Sequence, residues 1–580
     1  MKKKKQEYAM LDTEDGEELL QNESTIPWME YPRPQCKRAS YTCLNGWWEF
    51  GTVEEGKKPA YTERIRVPFV PQSRLSGIGR YVPQSAVLCY RRTFSAPAHG
   101  ERVILHIGAA DQSAEVVLNG QRVGSHRGGY APFSFDVTQY IKDQNELEIF
   151  VRDALDNEIL PYGKQREARG GMWYTPVSGI WQTVWLECVP KTYITDLRVS
   201  TDTQGADITV ILNDGTNACG EVTLGDQTYP LTDGHARITL DEPRLWSPED
   251  PHLYEFSLCV GEDRVESYFA LRTLAIKEID GRARLFLNGK PYFFHGLLDQ
   301  GYFSDGIFLP ATPKGFEADI QAAKSCGFNM LRKHIKIEPS LFYYACDRLG
   351  MIVFQDMVNN GGYSFLRDTA LPTVGFKSRN DKRLHRDKAT RAAFLSEMKE
   401  TVTRLSFHPC VCYWTIFNEG WGQFDHAAVY QQLKKLDSTR FIDSVSGWFM
   451  PRRAKELQSD VESVHIYFKP VRMKRQTEKP YVLSEFGGYS YRCEGHCYNL
   501  VGNYGYRSFG ERADFEDALE RLYTNEVLPA IREGLCAAVY TQLSDVEDET
   551  NGLLTYDRRV LKVSPARMQK IATALFEEMK

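Results

Sequence analysis

No window of the sequence approaches the run of about 20 apolar residues that crosses a bilayer; its longest apolar stretches, such as Cys536 to Tyr540, are strand-sized. A membrane-spanning helix is therefore not expected. Nor is there a strong charge of either sign: 71 basic against 77 acidic residues leave −6, too little to make a nucleic-acid backbone the main partner. Low-complexity tracts beyond Lys2 to Lys5 and repeats at a solenoid period are both missing, which excludes a disordered chain and a repeat array. The positive cluster within Met1 to Asp15 is followed by no apolar stretch that would serve as a signal-peptide core, so the reading is a cytoplasmic protein. Thirteen Cys, an odd number spread over the chain, suit free thiols in a reducing compartment better than a disulfide framework.

What is present is globular. The 580 residues, 42% hydrophobic and 26% charged, suffice for three or four domains of about 150 residues, or fewer if one is a large barrel. Ten Trp and 31 Tyr make the chain rich in rings, which pack cores and also stack on ligands. From about Tyr41 to Pro190 short alternating strands are broken by turns, with Asn119-Gly120 as a hairpin signal because both central positions of a type I′ turn need positive φ. A second β segment, Lys191 to Lys277, has the size of a small sandwich.

Near Leu285 the pattern changes to apolar strands alternating with amphipathic helices. Eight strands are expected: Tyr292 to His295, Phe328 to Arg332, Met351 to Asp356, Val411 to Asn418, Phe441 to Ser446, Val461 to Tyr467, Tyr481 to Glu485 and Cys536 to Gln542. Helices are expected after Thr312-Pro313, over Pro339 to Leu349 and over Phe515 to Arg532. Eight β-α units predict a (β/α)8 TIM barrel. An open doubly wound sheet fits less well, since no Gly-rich phosphate loop follows the first strand.

Function in such a barrel collects where strands end. Polar residues there are His295, Asp299, Arg332, His334, Asp356, Asn418, Glu419, Ser446, Trp448, His465, Tyr467, Glu485, Gln542 and Asp545. Two of them, Glu419 in Phe417-Asn418-Glu419 and Glu485 in Ser484-Glu485-Phe486-Gly487, are acids ending apolar strands. A pair of rim carboxylates fits cleavage of a glycosidic bond, with one acid protonating the leaving oxygen and the other attacking the anomeric carbon. A gap of about 5 to 5.5 Å implies retention, and about 6.5 to 9.5 Å implies inversion. Trp414, Phe417 and Trp421 are candidates for an apolar setting around Glu419, Asp356 for a sugar-hydroxyl contact and Trp448 for sugar stacking. For Arg332, His334 and His465, substrate contact and support of a neighbouring carboxylate both stay open, and Gln542 joins them as a candidate contact.

Ser178-Gly179-Ile180-Trp181-Gln182 with Trp185, Leu245-Trp246-Ser247-Pro248, Phe407-His408-Pro409 and the two acid motifs occur in order along the chain. With them the sequence resembles glycoside hydrolase family 2. The resemblance implies a jelly-roll sugar-binding domain over 1–190, an immunoglobulin-like β-sandwich over 191–277 and a catalytic barrel over 278–580. It also implies Glu419 as general acid/base, Glu485 as nucleophile, Asn418 at the sugar 2-hydroxyl and Tyr467 as a donor that orients the nucleophile.

The implied activity is that of a retaining exo-β-glycosidase acting on oligosaccharides or glycosides without an organic cofactor or metal. A carbohydrate-binding protein without turnover is the alternative, and a homo-oligomer stays open. β-Glucuronidases of the family carry an Asn-x-Lys pair after the eighth strand, and no such Lys stands in Glu547 to Leu553. Asp545, Glu547, Asp548 and Glu549 are expected as a solvated acidic rim, not a calcium loop, which favours a neutral sugar, β-galactoside first, then β-mannoside or α-L-arabinopyranoside. Leu297 to Tyr302 departs from the Asn-Arg-His pattern of well-known β-galactosidases, so their metal ligands are not transferred. Cys493, His496 and Cys497 lack the second ligand pair of a zinc site. Loops around 358–383 and 487–512 are expected to cover a pocket.

Overall fold

Gln144–Arg152 alternates outward and buried side chains, the period-two pattern of a strand with one face in a core. In the computed structural model, which describes residues 7–97, 100–153, 158–373, 376, 380–447, 451, 456–472 and 478–579, this strand lies inside a six-stranded antiparallel sheet. A four-stranded sheet, Tyr41–Cys43, Val184–Val189, Arg102–Ile107 and Phe133–Asp136, packs against it around a core that includes Phe50, Val116, Ile149 and Leu186. The hairpin over Ser113–Leu118 and Gln121–Arg127 turns at Asn119 and Gly120, whose φ values are 53° and 77°. A second sandwich follows, with three strands (Ile194–Thr201, Gly205–Leu212, His235–Thr239) facing four, among them Tyr254–Val260 and Asp263–Phe269.

The C-terminal part is an eight-stranded parallel barrel. Its strands are β1 (Phe294–Asp299), β2 (Met330–Lys333), β3 (Ile352–Asp356), β4 (Val411–Asn418), β5 (Phe441–Ser446), β6 (Glu462–Ile466), β7 (Tyr481–Gly487) and β8 (Leu535–Thr541). The ladder runs β5-β4-β3-β2-β1-β8-β7-β6, and Ser463 Oγ donates to Val445 O (3.3 Å) across the seam between β5 and β6. β1 starts later than the sequence suggests because Arg282–Leu287 and Lys290–Pro291 belong to a preceding three-stranded sheet, and Tyr292 N still donates to Leu285 O. The helix expected over Phe515 to Arg532 is interrupted: Arg512–Leu522 passes through a π-turn at Tyr523–Val527 into Leu528–Arg532. Pro529 lacks the N–H that a continuous helix would need. Among the described residues no helix is long and apolar enough to cross a membrane.

Most of the motifs outside the two acids turn out to be seams between domains. Trp246 of the second sandwich donates Nε1–H to Asp347 O (2.7 Å) on the barrel helix Ser340–Leu349, and the Asp347 carboxylate also meets Tyr268 Oη and His408 Nδ1, both at 2.7 Å. Trp181 of the first sandwich packs edge-on against Phe308 of the barrel.

At the junction of the two sandwiches, buried Arg38 bonds Glu187 (2.8 Å) and both oxygens of Asp263 (2.9 and 2.8 Å). Burial alone would raise the Glu187 carboxyl, but His106, Arg33 and Arg38 hold it well below the usual range. Arg38→Met strands two buried carboxylates, so the unfolding free energy should fall by about 3–5 kcal/mol in denaturant titration. Lys37→Ala removes only the solvent-exposed pair with Glu266 and should cost less than about 1 kcal/mol. Equal effects would contradict this reading of the seam.

Candidate functional site

Arg332 leaves β2 pointing into the barrel with 1% of its surface exposed. All five guanidinium N–H groups find acceptors: Nε and Nη2 grip Asp356 at 3.0 Å each, Nη2 also reaches Asn418 Oδ1 (2.9 Å), and Nη1 reaches Ser484 O (2.9 Å) and Glu485 Oε1 (3.1 Å). One cation thus ties β2, β3, β4 and β7 together and fixes where the Glu485 carboxylate lies. Tyr467, just after β6, donates to the other oxygen, Glu485 Oε2, at 2.5 Å. Burial would raise the Glu485 carboxyl; His465, Arg332, the Tyr467 hydroxyl and Lys164 reverse this and hold it below the ordinary glutamate value. Glu485 is therefore an ionised, immobilised carboxylate.

Glu419 follows β4 in the left-handed region, φ 51°. A non-glycine residue pays about 1–3 kcal/mol there and holds only where the surroundings over-determine it. Its N–H donates to Ser446 O (2.8 Å), and Gly420 and Gly422 continue the turn at φ 73° and 71°. His465 Nδ1 stands 2.8 Å from Glu419 Oε1 and 3.5 Å from Glu485 Oε2. Oxygen atoms of the two carboxylates and this nitrogen all lie within 4.8 Å of one another.

These are also the residues that could hold a cation, but each donor is already engaged. His465 bridges the acids and Arg332 supplies the positive charge beside Glu485. The arrangement suits proton transfer and attack at one atom held between two acids.

The pocket over these acids is lined by Asn418, Glu419, Tyr467, Glu485 and His334, as the sequence suggests. Both ring nitrogens of His334 are buried without a hydrogen-bond partner among the described residues, and burial, with Lys164, Arg332 and His465 adding, keeps the ring neutral. His334 is a ready hydroxyl partner.

Four expected contacts lie behind the wall. Asp356 gives both oxygens to Arg332, Arg332 is saturated, and His465 has a fully buried side chain between the acids. Gln542 donates to Glu549 Oε2 (2.6 Å) and Asn551 Oδ1 (2.9 Å). These four position the lining residues. Of the rings considered around Glu419, only Trp421 lines the pocket; Trp414 donates to Asp437 (2.9 Å) and Phe417 stacks on Phe394, both facing the helical layer. Trp448 lies outside the described residues.

The acidic rim is not solvated. Asp545 is paired with Lys562 (2.6 Å) and Glu547 with Arg169 (2.9 Å), while Asp548 accepts from Asn499 (2.8 Å). Glu549 accepts from Tyr174 (2.9 Å) and Gln542. All four are buried, and burial pushes Asp545 up to about 6. Their charges are committed inside the fold. His496 pairs with Asp557 (2.7 Å), and Cys497 Sγ donates to Cys493 O (3.2 Å).

Sequence reasoning missed Lys164, Met172 and Trp173, which enter the pocket from the first sandwich. The available signal was length: among the described residues between Arg152 and Gly179 no regular strand forms, and a connection that long is usually functional. Tyr363 and Asp368 from the loop around 358–383 and Tyr506 from that around 487–512 also line the pocket. Tyr506 stacks on Tyr467 with ring centroids 3.8 Å apart.

Residues 278–500 match the family model for the TIM barrel domain of glycosyl hydrolases family 2, residues 79–173 that for its galactose-binding domain-like part, and residues 192–272 that described as glycosyl hydrolases family 2. The chain belongs to glycosyl hydrolase family 2.

A β-galactosidase of Thermoanaerobacter pseudethanolicus is 25% identical over 435 residues, covering 69% of this chain and 54% of the relative. A β-glucuronidase of Paenibacillus borealis is 26% identical over 428 residues, covering 65% and 67%. The chain spans about a third to about half the length of the first curated relatives it matches. Among solved structures, a β-D-glucuronidase from Dictyoglomus thermophilum aligns with TM-score 0.71 at 20% identity over 94% of this chain and 98% of the other. A β-galacturonidase from Eisenbergiella tayi bound to galacturonate aligns with TM-score 0.70 at 18% identity over 95% and 99%. At such identities the likeness is one of fold.

Tyr467→Phe removes a hydrogen bond to a charged acceptor, worth about 1.5–3 kcal/mol. The bond favours the ionised form, so its loss should raise the titration midpoint of Glu485 by about one to two pH units, read by carbon NMR of the labelled carboxyl. An unchanged midpoint would mean that Tyr467 does not hold the charge.

Proposed function

We propose that this chain is an exo-acting retaining β-glycosidase, with Glu485 as nucleophile and Glu419 as general acid/base. The observation that carries the reading is the closeness of the two carboxylates, one oxygen of each lying within 4.8 Å of the other. That closeness supports the short spacing of double displacement over the wider gap in which an inverting enzyme places a water between acid and base.

Glu485 attacks the anomeric carbon while Glu419, with the more exposed side chain of the two at 23%, protonates the departing oxygen. The sugar becomes an ester on Glu485. With that negative charge gone, Glu419 takes a proton from water, and the resulting hydroxide character attacks the same carbon and frees the sugar with its original configuration. Asn418, fixed by Arg332, is placed to bond the sugar 2-hydroxyl, and His334 faces a neighbouring hydroxyl. A pocket walled by Trp173, Tyr363, Trp421 and Tyr506 suits a single terminal sugar, hence exo action.

The neutral sugar expected from the sequence, β-galactoside first, rested on an exposed acidic rim and on the missing lysine after the eighth strand. The rim is buried and paired, so only the second support stands. The matched relatives carry both β-galactosidase and β-glucuronidase names.

The test is a panel of 4-nitrophenyl glycosides. The wild-type protein should release nitrophenol from at least one with retained configuration by proton NMR. Glu485→Ala should lose about a thousandfold or more in kcat and, with azide added, form the glycosyl azide of opposite anomeric configuration. Glu419→Ala should lose about 10²- to 10⁴-fold on glycosides with poor leaving groups. Full activity in Glu485→Ala would sink the assignment, and binding without turnover by the wild-type protein would favour a sugar-binding protein.

A further inference from the structure

Tyr467 donates to Glu485 from just beyond the end of β6, so the ladder of the barrel does not itself fix its ring. A neighbouring ring does. Tyr506 lies flat on Tyr467, with centroids 3.8 Å apart and planes 8° from parallel, and Phe468 meets Tyr506 edge-on at 5.2 Å. A Cβ at Gly488, φ 67°, would stand 2.2 Å from Tyr506 Cδ2, so only glycine leaves room for that ring. The Tyr506 N–H donates to Gly488 O at 3.0 Å.

The loop that carries Tyr506 has few apolar anchors of its own, since Leu500 and Val501 are 53% and 40% exposed. It is clasped from two sides. On one, the Tyr504 N–H donates to Asp548 O (2.7 Å), the Thr550 N–H donates to Tyr504 O (3.1 Å), and the Asn499 amide donates to the Asp548 carboxylate (2.8 Å). On the other, the segment from Glu7 to Thr13 lies along the loop as an added strand. The Ala9 N–H donates to Tyr498 O (2.8 Å) and the Leu500 N–H to Glu7 O (2.9 Å), with Tyr8 opposite Asn499 in antiparallel register.

Tyr8 stacks on Tyr498 at 5.0 Å, and the Arg169 guanidinium lies 4.2 and 5.2 Å from the two ring centres while it pairs with Glu547. The far end of the segment is pinned to the barrel, where the Thr13 N–H and hydroxyl both donate to buried Asp305 Oδ2 (2.8 and 2.6 Å). Direct contacts thus run from Thr13 through the loop and two stacked rings to Glu485.

We propose that Tyr506 is a positioning residue that holds Tyr467 against Glu485, and that the segment from Glu7 to Thr13 is the latch that keeps Tyr506 in place. Its kinetic consequence rests on the glycosidase reading above; its effect on the Glu485 proton does not. The Tyr467 hydroxyl favours the ionised carboxylate, so a Tyr467 released from its stack lets Glu485 titrate higher. A ring that merely screened Glu485 from water would act in the opposite sense, because its removal would hydrate the carboxylate and lower the midpoint. The charged and titratable groups that also act on Glu485, namely Arg332, His334, His465, Glu419, Asp356, Glu549 and Lys164, are kept in every variant below.

The experiment follows the labelled Glu485 carboxyl of the full chain by carbon NMR. A ring pair contributes about two- to tenfold to an equilibrium, so Tyr506→Leu should raise the midpoint by about 0.4 to 1 pH unit. Tyr506→Phe, which keeps the ring, should restore it. In a Tyr467→Phe background, Tyr506→Leu should give no further rise. Ala9→Pro removes the N–H that holds Tyr498; it should move the midpoint in the same direction as Tyr506→Leu and add nothing to that variant.

On any 4-nitrophenyl glycoside the protein cleaves, the acid limb of kcat/KM should follow these midpoints, and kcat should fall about two- to tenfold in Tyr506→Leu. A midpoint unchanged or lowered in Tyr506→Leu, or raised equally with and without the Tyr467 hydroxyl, would overturn the positioning role, and an unmoved midpoint in Ala9→Pro would overturn the latch. The expected midpoints without cleavage of any glycoside would remove only the glycosidase reading, whereas cleavage with unmoved midpoints would remove the proposal and leave that reading intact.

Discussion

A guanidinium sealed from water at the floor of the barrel is the constraint on which the site depends. Arg332 loses its hydration entirely, a cost that only full pairing offsets. Its five N–H groups therefore claim the carboxylate of β3, the amide that ends β4, and a carbonyl and the carboxylate of β7. None of these acceptors can shift without stranding a donor. The position of Glu485 is thus a property of four strands in register, and the spacing to Glu419 follows from it through His465.

The second constraint comes from outside the barrel. The irregular segment from Glu158 to Ser178 crosses to the loop that follows β8, where Arg169, Tyr174 and the Thr175 N–H take up Glu547 and Glu549. The same crossing delivers Lys164 and Trp173. A loop of one domain and a loop of another are thus joined by the Arg169–Glu547 ion pair and by hydrogen bonds, and build one wall of the pocket between them. The seams around Trp246, Trp181 and Arg38 hold the three units in the relation this wall requires.

Much of this was legible in the sequence, residue by residue. Period-two alternation and Asn119-Gly120 marked the β part, and eight apolar strands with polar ends marked the barrel. Glu419, Glu485, Asn418, His334 and Tyr467 were singled out and line the pocket. Asp356, Arg332, His465 and Gln542 sit at strand ends as well, and a strand end says only that a side chain is near the rim. Whether it faces the pocket or a neighbouring strand depends on local register and bulges, such as the shift between Val464 and His465. The acids from Asp545 to Glu549 read as a charged rim because their partners, Arg169, Tyr174, Asn499 and Lys562, are scattered over almost 400 residues of chain.

The sequence alone determined the three-part architecture and the two acids, since periodicity, turn chemistry and short motifs are local properties written within a few residues. Only the tertiary structure decided which charges are committed and which remain free. Pairing is set by distance in space: it buried an acidic strip that looked exposed, and it placed a lysine from the first sandwich beside acids of the eighth strand's loop.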